Sequence, residues 1–355
     1  MALIVQKFGG TSLADPAARE MLAKKVGAAR GAGEEIVLVV SAMGRRGDPY
    51  ATDTLLDLLG EYSGDTGAVG DTGAVNGVGS AAADAAGGGT DGLTGDLLAS
   101  CGEVISACVI AALLNSRGIG AVPMTALSAG IAARGPFGDA APSAIDPARL
   151  KAVLAAGKVP VVTGFQGVDA AGNILTLGRG GSDTSAVAIG AALGADFVDI
   201  YKDVPGVAKA DPRLVRGVPF MKFLDYDSMF RLANHGARVL HDKSALLAKA
   251  SGLKMRVRST FDDGEGTLIG PASQAAEVPD FLGLATCSGP GNKLRVTAVF
   301  SAAAGAKGVV LARESVRTIG LDVIELDCDD PCAVVFLCPR ETSAVFAQKL
   351  FEALN

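Results

Sequence analysis

The fold is decided by the stretch ALIVQKFGGTS, residues 2–12, in which a short β-rich run ends in two glycines and two hydroxyl residues. Thr11 and Ser12 can cap a helix whose apolar positions continue at helical spacing from Asp15 to Arg30. Glycines let the backbone approach a ligand closely, and a helix N-terminus presents unpaired N–H groups. With Lys7 beside them, these residues are equally consistent with a tight turn and with a phosphate site.

A second glycine-rich loop, TLGRGGSDTSA at residues 176–186, also lies between a predicted strand and a predicted helix. It combines the cation Arg179, the hydroxyl Ser182 and the carboxylate Asp183 with three glycines. A turn rarely needs such charges, so this loop favours a site for a polar substrate or a charged transition state. Neither loop matches GxxxxGK[ST] or GxGxxG, the common nucleotide fingerprints.

Strands and helices alternate outward from these loops. Strands are predicted at 36–43, 120–126, 159–165 and 196–204, and helices at 97–117, 146–156 and 184–193. This order predicts an α/β fold with a doubly wound, mostly parallel sheet whose binding loops lie at the carboxyl ends of the strands.

The composition bounds the class of protein. The chain has 355 residues, 49% hydrophobic and 5% aromatic, which fits two or three α/β domains. The net charge of −6 and the absence of a basic block argue against a nucleic-acid partner. No apolar run is expected to reach membrane-spanning length, the longest being near Val104–Leu114, so no membrane partner and a cytoplasmic location are predicted. Six scattered cysteines and two histidines predict reduced thiols and no protein metal site.

One stretch departs from the alternating pattern. Residues 62–96 are rich in Gly, Ala, Asp and Thr, and they contain the tandem repeat GDTGAV at 64–69 and 70–75. This stretch lacks the apolar periodicity that would offset the entropy of ordering. It is therefore interpreted as a flexible surface insertion.

The order of the loops resembles that of the aspartokinases, within the amino acid kinase family, from Ala2 to Leu268. The matching segments include KFGGTS, SAMGRRGDPYATD, SCGEVIS, GRGGSD and DVPGV-x-x-ADPR, and the second is most similar to the Bacillus-type enzymes of the diaminopimelate and lysine branch. The resemblance implies transfer of the γ-phosphoryl group of Mg²⁺-bound ATP to the β-carboxylate of L-aspartate. It also implies a catalytic domain at 1–270.

The resemblance assigns roles to residues of both loops. Lys7 and Asp183 would be catalytic, with Lys7 neutralising charge on the phosphoryl group and Asp183 orienting the reacting groups near Mg²⁺. Arg179 would bind the α-carboxylate of aspartate and Glu103 its α-ammonium. The remaining substrate residues would be Ser41, Thr52, Phe165 and Ser182. The nucleotide would be held by Lys7, Phe8, Gly9, Gly10, Lys202, Asp203, Ala208, Lys209, Ala210, Asp211, Pro212, Arg213 and Arg238.

Several residues depart from the family pattern on the nucleotide side. Lys202 replaces a usual Thr, Ala208-Lys209 replaces Tyr-Thr, and Arg238 replaces a Lys. Loss of the Tyr would remove an aromatic contact worth roughly 1 kcal/mol. These changes predict altered ATP binding with the phosphoryl chemistry intact.

The tail at 271–355 has a predicted β-β-α-β-β-α order and resembles an ACT domain, the ferredoxin-like module that binds amino acids in aspartokinases. Its SAAAGAKG segment lacks the usual Asp or Pro of the effector loop. Two interpretations stay open: binding of an effector (lysine, diaminopimelate or threonine), or dimerisation without a ligand. Either one predicts a homodimer.

Two other functions stay open at the level of sequence. One is an amino acid kinase with a different carboxylate acceptor. The other is a paralogue that binds amino acids as a regulatory subunit without catalysis. Intact Lys7 and Asp183 argue against the second, and Glu103 with Arg179 argues for an acceptor with a free α-ammonium and a free α-carboxylate.

Overall fold

The computed structural model describes residues 1–60, 92–237, 239–274 and 279–355. The strands are β1 (Leu3–Phe8), β2 (Glu35–Val40), β3 (Ala121–Met124), β4 (Ile131–Arg134), β5 (Ala141–Ile145), β6 (Val159–Thr163), β7 (Gln166–Val168), β8 (Ile174–Thr176), β9 (Phe197–Lys202), β10 (Phe223–Asp225), β11 (Met255–Ser259), β12 (Thr267–Gly270), β13 (Phe281–Ser288), β14 (Lys293–Phe300), β15 (Ile324–Leu326) and β16 (Ala333–Pro339). The α-helices are α1 (Pro16–Gly31), α2 (Thr52–Gly60), α3 (Gly92–Ser116), α4 (Ala148–Ala155), α5 (Gly181–Leu193), α6 (Tyr226–Asn234), α7 (Asp242–Ser251), α8 (Gly305–Ile319) and α9 (Ser343–Leu354).

The described residues form two compact units. The first contains residues 1–60, 92–205 and 247–265, and the second contains 206–237, 239–246, 266–274 and 279–355. The second unit thus combines the segment 206–246 with the C-terminal tail. The domain bounds at 1–270 and 271–355 stay predictions.

A parallel sheet forms the centre of the first unit, with strand order β11-β9-β1-β2-β6-β3. The near-continuous apolar run EIVLVV makes β2, in which every residue after the first is buried, as expected for a strand covered on both faces. Side chains of β1 alternate: Ile4 and Phe8 join the core cluster that includes residues of α1 and α3. Val5 lies on the other face, near Gly190 of α5. The predicted doubly wound, mostly parallel sheet is confirmed.

Helix α3 is longer than the sequence predicts. It has 25 residues and, among the described residues, is the helix that is long and apolar enough to cross a membrane by length and composition. The expectation that no apolar run reaches that length was therefore wrong. Half of its most apolar stretch is buried, and Ile110 and Leu114 lie in the core cluster beside the sheet.

The start of α3 also corrects the bounds of the insertion predicted at 62–96. Residues 92–96 are helical, and Asp96 is buried, where it accepts hydrogen bonds from Gly138 and Thr176. These hydrogen bonds hold Asp96 in place through residues that are distant in the sequence. The composition of the Gly-rich stretch therefore does not predict that Asp96 is ordered. The rest of the insertion, with both GDTGAV repeats, lies outside the described residues.

A smaller sheet with strand order β5-β4-β7-β8 completes the first unit. Strand β8 is the strand predicted before the second glycine-rich loop, whereas β4, β5 and β7, of three to five residues each, were not predicted. Leu175 and Leu177 pack with Ala133 and Ala140 in a small apolar cluster of this sheet. The loop from β8 to α5 is the second glycine-rich loop, so this sheet positions half of the predicted site.

The second unit contains an antiparallel sheet with strand order β13-β14-β16-β15. Helix α8 lies between β14 and β15 in the chain, and α9 follows β16, which confirms the predicted β-β-α-β-β-α order. Its core cluster includes Phe300, Phe336 and Phe346, and also Ala210 and Val215 from the segment 206–246. A parallel pair of strands, β10 and β12, belongs to the same unit.

Candidate active site

A cavity of 360 Å³ lies at the carboxyl ends of the parallel strands in the first unit. Ten of the predicted site residues line it: Lys7, Gly10, Ser41, Thr52, Glu103, Phe165, Arg179, Ser182, Asp183 and Lys202. The structure therefore brings the two glycine-rich loops together, although they are about 170 residues apart in the chain. Such a position, outside the carboxyl ends of the strands, is where open α/β sheets bind ligands.

The deepest charged group is a cluster of two lysines and one aspartate. Lys7 Nζ lies 2.6 Å from Asp183 Oδ1, and Lys202 Nζ lies 3.1 Å from Asp183 Oδ2. Lys7 and Asp183 are both buried. Burial raises the pKa of Asp183, but the charges of Lys202 and Lys7 outweigh it and lower that pKa to about 2. Burial, assisted by the charge of Lys202, lowers the pKa of Lys7. The carboxylate of Asp183 is thus ionised between two ammonium groups.

Glu103 supplies a buried carboxyl group from α3. Its Oε1 accepts a hydrogen bond of 2.9 Å from the Ala42 amide, while Oε2 is buried and has no hydrogen-bond partner among the described residues. Gly102 allows this approach, since a Cβ there would lie 2.7 Å from the Ala42 side chain. Burial raises the pKa of Glu103 to about 8. An unpartnered buried oxygen of this kind is suited to a cationic ligand group.

The two glycine-rich loops border the cavity with different backbone arrangements. A Cβ on Gly10 would lie 2.6 Å from the Gly44 carbonyl oxygen, so only glycine fits between the first loop and the end of β2. The amide of Gly9 already donates to the Tyr201 carbonyl oxygen at 3.4 Å. In the second loop Gly180 has φ of 71° and precedes α5 without a side-chain cap. No side chain therefore covers the N-terminus of α5, although the amides of Gly181 and Asp183 already donate to the carbonyl oxygens of Gly178 and Gly180.

Phe165 has a left-handed backbone, with φ of 68°, which is unusual for a residue other than glycine. Its amide donates to Ser185 Oγ and its carbonyl oxygen accepts from the Leu177 amide, so α5 and the residue that follows β8 hold it. Its ring lies close to Gly181, where a Cβ would come within 2.9 Å of Phe165 Cδ2. The strained backbone places this side chain in the cavity wall at the start of α5.

The remaining predicted substrate residues lie at the entrance or along the wall. Arg179 is exposed at the tip of the second loop, and Ser182 is buried in the first turn of α5. Ser41 follows β2, and Thr52 is the first residue of α2. Each of these positions adds a polar group to the cavity lining.

The sequence did not predict two arginines that line the cavity. Arg45 and Arg46 follow β2, and Arg45 pairs with Asp203 at 2.8 Å while Arg46 pairs with Asp57 at 3.5 Å. A signal was available, because two cations directly after the carboxyl end of a buried strand lie at the edge where ligands bind. Asp203 itself is a predicted nucleotide residue that does not line the cavity.

Phe8 takes part in the core. Its ring is fully buried and stacks on Tyr201 with ring centroids 4.4 Å apart. The predicted contact of Phe8 with the nucleotide would therefore be made by its backbone atoms.

The other predicted nucleotide residues belong to the second unit or lie outside the described residues. Ala208 forms an isolated bridge with Phe220, and Asp211 pairs with Arg213 at 2.7 Å. Lys209 donates to the side chain of Asn355. Ala210 and Pro212 lie in the same segment, and Ala210 is buried in the core of the second unit. Arg238 lies outside the described residues. The nucleotide role of this segment stays a prediction.

A metal site made of protein groups alone is not present among the described residues, where no three His, Cys, Asp or Glu side chains converge. Asp183 is the carboxylate nearest the glycine-rich loops, and both of its oxygens face lysines. Magnesium commonly keeps several waters and binds through one or two carboxylates plus substrate phosphates. A Mg²⁺ ion that enters with a nucleotide would therefore be held mainly by phosphate oxygens and water.

The model of the amino acid kinase family matches residues 2–259. The chain belongs to the amino acid kinase family. Aspartokinase 1 of Bacillus subtilis is 40% identical over 269 residues, which are 76% of this chain and 61% of that protein. The predicted resemblance to aspartokinases of the Bacillus type is confirmed.

Solved structures agree in fold. Aspartokinase III of E. coli in complex with aspartate and ADP superimposes with a TM-score of 0.76 at 22% identity, covering 99% of each chain. Aspartate kinase from Synechocystis gives a TM-score of 0.60 at 30% identity, covering 99% of this chain and 55% of that one. This chain spans about three fifths of the length of the curated relatives it matches.

Proposed function

We propose that the protein is an aspartate kinase, which transfers the γ-phosphoryl group of ATP to the β-carboxylate of L-aspartate and forms 4-phospho-L-aspartate. One observation carries the proposal: the buried cluster of Lys7, Asp183 and Lys202 lies in one cavity with the unpartnered oxygen of Glu103. The lysine–aspartate cluster suits a transferring phosphoryl group, and the Glu103 oxygen suits the α-ammonium group of an amino acid. Curated aspartokinases similar over three quarters of the chain support the same substrate.

The acceptor would be held at both of its α-substituents. Glu103 Oε2 would accept from the α-ammonium, and the exposed guanidinium of Arg179 would bind the α-carboxylate in a bidentate manner. Ser41, Thr52 and Ser182 would contribute hydroxyl groups, with the Phe165 ring as an apolar wall. An N-acylated acceptor lacks the ammonium charge that Glu103 would pair with, so this geometry favours a free amino acid.

The chemistry requires positioning and charge more than a covalent intermediate. Lys7 would contact oxygens of the transferring group, and the Gly10 amide together with the first turn of α5, which no side chain caps, would hold phosphate oxygens. Asp183 would keep the ammonium group of Lys7 in place. Mg²⁺ bound with ATP would offset further phosphate charge. A role for Asp203, Arg238 and residues 208–213 in ATP binding belongs to this proposal, as do a cytoplasmic location, a homodimer and an amino-acid effector.

The proposal is tested by aspartate-dependent release of ADP from Mg-ATP, with hydroxylamine trapping the acyl phosphate. Wild-type protein should give aspartyl hydroxamate, and Lys7→Ala should lower its rate by at least about 10²-fold, the effect of removing one preorganised charge donor. Lys158→Ala, an exposed lysine that does not line the cavity, is the matched control and should retain the rate. Absence of hydroxamate in the wild type, with aspartate still raising the melting temperature, would support an amino-acid-binding subunit instead.

A further inference from the structure

Lys202 lies on the strand beside the one that leads into the first glycine-rich loop. It is the last residue of β9, and β1 lies beside β9 with Lys7 in register with Ile200. Because side chains alternate along strands, Lys7, Ile200 and Lys202 lie on the same face of the sheet. That face is covered by α5, since Gly190 of α5 approaches the Val5 and Val198 side chains. Asp183 lies in the first turn of α5, where both lysines reach it.

Both lysines line the same cavity beside the end of the first loop. The register of β1 with β9 ends at Phe8 opposite Tyr201, and the next residue, Gly9, has no side chain. A Cβ on Gly9 would lie 3.7 Å from Lys7 Nζ, so a longer side chain at this position would crowd the ammonium group of Lys7. The side chain of Lys202 is 21% exposed, against 6% for Lys7, so it is the more accessible of the two from the cavity.

The charges of the cluster do not cancel. Asp183 carries one negative charge and lies within ion-pair distance of both ammonium groups. Within this trio two ammonium groups share one carboxylate, and burial keeps Glu103, the other acidic group that acts on Lys7, largely uncharged below its pKa of about 8. A simple structural ion pair would need only one lysine, and the second adds repulsion with Lys7 across the carboxylate. An anion that contacts both ammonium groups would relieve that repulsion.

We propose that Lys202 is a second catalytic cation, which contacts the γ-phosphoryl group of the nucleotide together with Lys7, while Asp183 holds the two ammonium groups apart at a fixed spacing. This inference rests on the proposed kinase function and differs from a general nucleotide-binding role for the segment around Lys202. Threonine, the usual residue of the family at this position, brings no charge. The substitution therefore adds a cation at the reacting phosphorus of this chain.

The step that the two lysines assist needs no proton transfer. A β-carboxylate oxygen of aspartate forms a bond to the γ-phosphorus while the bond from that phosphorus to the β,γ-bridging oxygen breaks. The electron pair of the broken bond stays on the bridging oxygen, which leaves as part of ADP. Negative charge is spread over the equatorial oxygens and the bridging oxygen during transfer, and fixed ammonium groups stabilise it without reorganisation.

The first test separates γ-phosphoryl contact from nucleotide binding. Calorimetry measures the dissociation constants of ADP and of β,γ-methylene-ATP, both with Mg²⁺, for the wild type, Lys202→Met and Lys202→Arg. We expect the preference for the triphosphate to fall about tenfold or more in Lys202→Met, with ADP affinity changed less than threefold, and to be partly restored in Lys202→Arg. An unchanged preference, or equal weakening of both ligands, would overturn the proposal.

The second test uses turnover. Lys202→Met should lower kcat about 10²-fold, as expected when a transition-state donor is lost, and should raise the KM for ATP by no more than it raises the dissociation constant of the triphosphate in the first test. Lys254→Met is the matched control, because Lys254 directly precedes β11, the other neighbour of β9, and lies over the Phe197 ring at the amino end of β9. A rise in the KM for ATP with kcat unchanged would contradict the proposal.

These tests remain informative if the acceptor has been wrongly identified. A wild type that makes no aspartyl hydroxamate would refute the proposed function, whereas the calorimetric preference for the triphosphate would still report whether Lys202 contacts the γ-phosphoryl group. Thermal melting checks the fold of each variant. Asp183 keeps Lys7 as a partner in Lys202→Met, so its melting temperature should stay close to that of the wild type.

Discussion

At the scale of single residues, Glu103 is the group whose charge depends most on its surroundings. Its pKa rises from 4.5 to about 8 because it is buried, and the hydrogen bond from the Ala42 amide offsets only part of that effect. The unfolded chain ionises this group near pH 4.5 and the folded chain near pH 8. Below pH 4.5 the group is protonated in both states. As the pH rises from 4.5 to about 8, the unfolded chain loses this proton while the folded chain keeps it, so Glu103 increasingly lowers the free energy of unfolding.

Ligand binding should depend on the same proton. An α-ammonium group pairs with ionised Glu103, so aspartate affinity should increase as the pH rises from about 6 toward 8, by up to about tenfold per pH unit. Titration calorimetry in buffers with different ionisation enthalpies should detect release of close to one proton per bound aspartate at pH 6.5.

Glu103→Gln provides the matched variant for this dependence. It keeps an oxygen for the Ala42 amide and removes the titration, so it should bind aspartate more weakly and with little pH dependence over this range. It should also be more stable than the wild type at pH 8, because the wild type pays an ionisation penalty there. Equal pH dependence of aspartate binding in both proteins would show that another group takes the ammonium.

At the scale of elements, the parallel sheet and α5 place the lysine–aspartate cluster. Helix α5 lies close to β1 and β9 because Gly190 has no side chain, and a Cβ there would lie 2.8 Å from Val198 Cγ2 and 2.8 Å from Leu253 Cδ2. Nearly all of α5 up to Gly190 is buried. The first turn of the helix can therefore bring Asp183 within reach of the strand ends.

Gly190→Val should push α5 away from the sheet. Overpacking a buried position costs about 1–3 kcal/mol, and valine gains little in helix propensity over glycine to offset it. The urea midpoint should fall with an unchanged m value. Ala191→Val, at the exposed neighbouring position of the same helix, should leave the midpoint nearly unchanged. Equal midpoints for both variants would show that close packing of α5 is not needed.

The elements differ in how well the sequence predicts them. Strand β2 and helix α5 were predicted because long apolar runs and flanking glycines identify them locally. Strands β4, β5 and β7 were missed, since they are short and β5 is largely exposed, which leaves no clear alternation. The contact of Lys202 with Asp183 depends on β9 lying beside β1, a long-range pairing that no local pattern encodes. Resemblance identified the residues of the site, and the structure supplied their partners.

At the scale of the whole molecule, the segment 206–246 groups with the C-terminal tail. In the second unit Arg231 Nε lies 2.9 Å from Asp330 Oδ2, and His235 Nε2 lies 3.1 Å from the same oxygen. The amide of Cys332 donates to the other oxygen of Asp330. A carboxylate at the end of the antiparallel sheet thus binds α6 and the residue that follows it.

Truncation after Gly270 tests how far the segment 206–246 depends on the tail. Ala210 and Val215 lie in one core cluster with Phe281 and Phe351, so removal of residues 271–355 would expose apolar surface and leave Arg231 without its carboxylate. We expect the fragment 1–270 to be cleaved within 206–246 by trypsin far faster than the full chain, while residues 92–205 stay protected. Asp330→Asn in the full chain is the milder comparison, since it weakens the ion pairs but keeps the core, and it should give intermediate cleavage. A fragment as resistant as the full chain would show that the segment folds without the tail and would favour a domain boundary near residue 270.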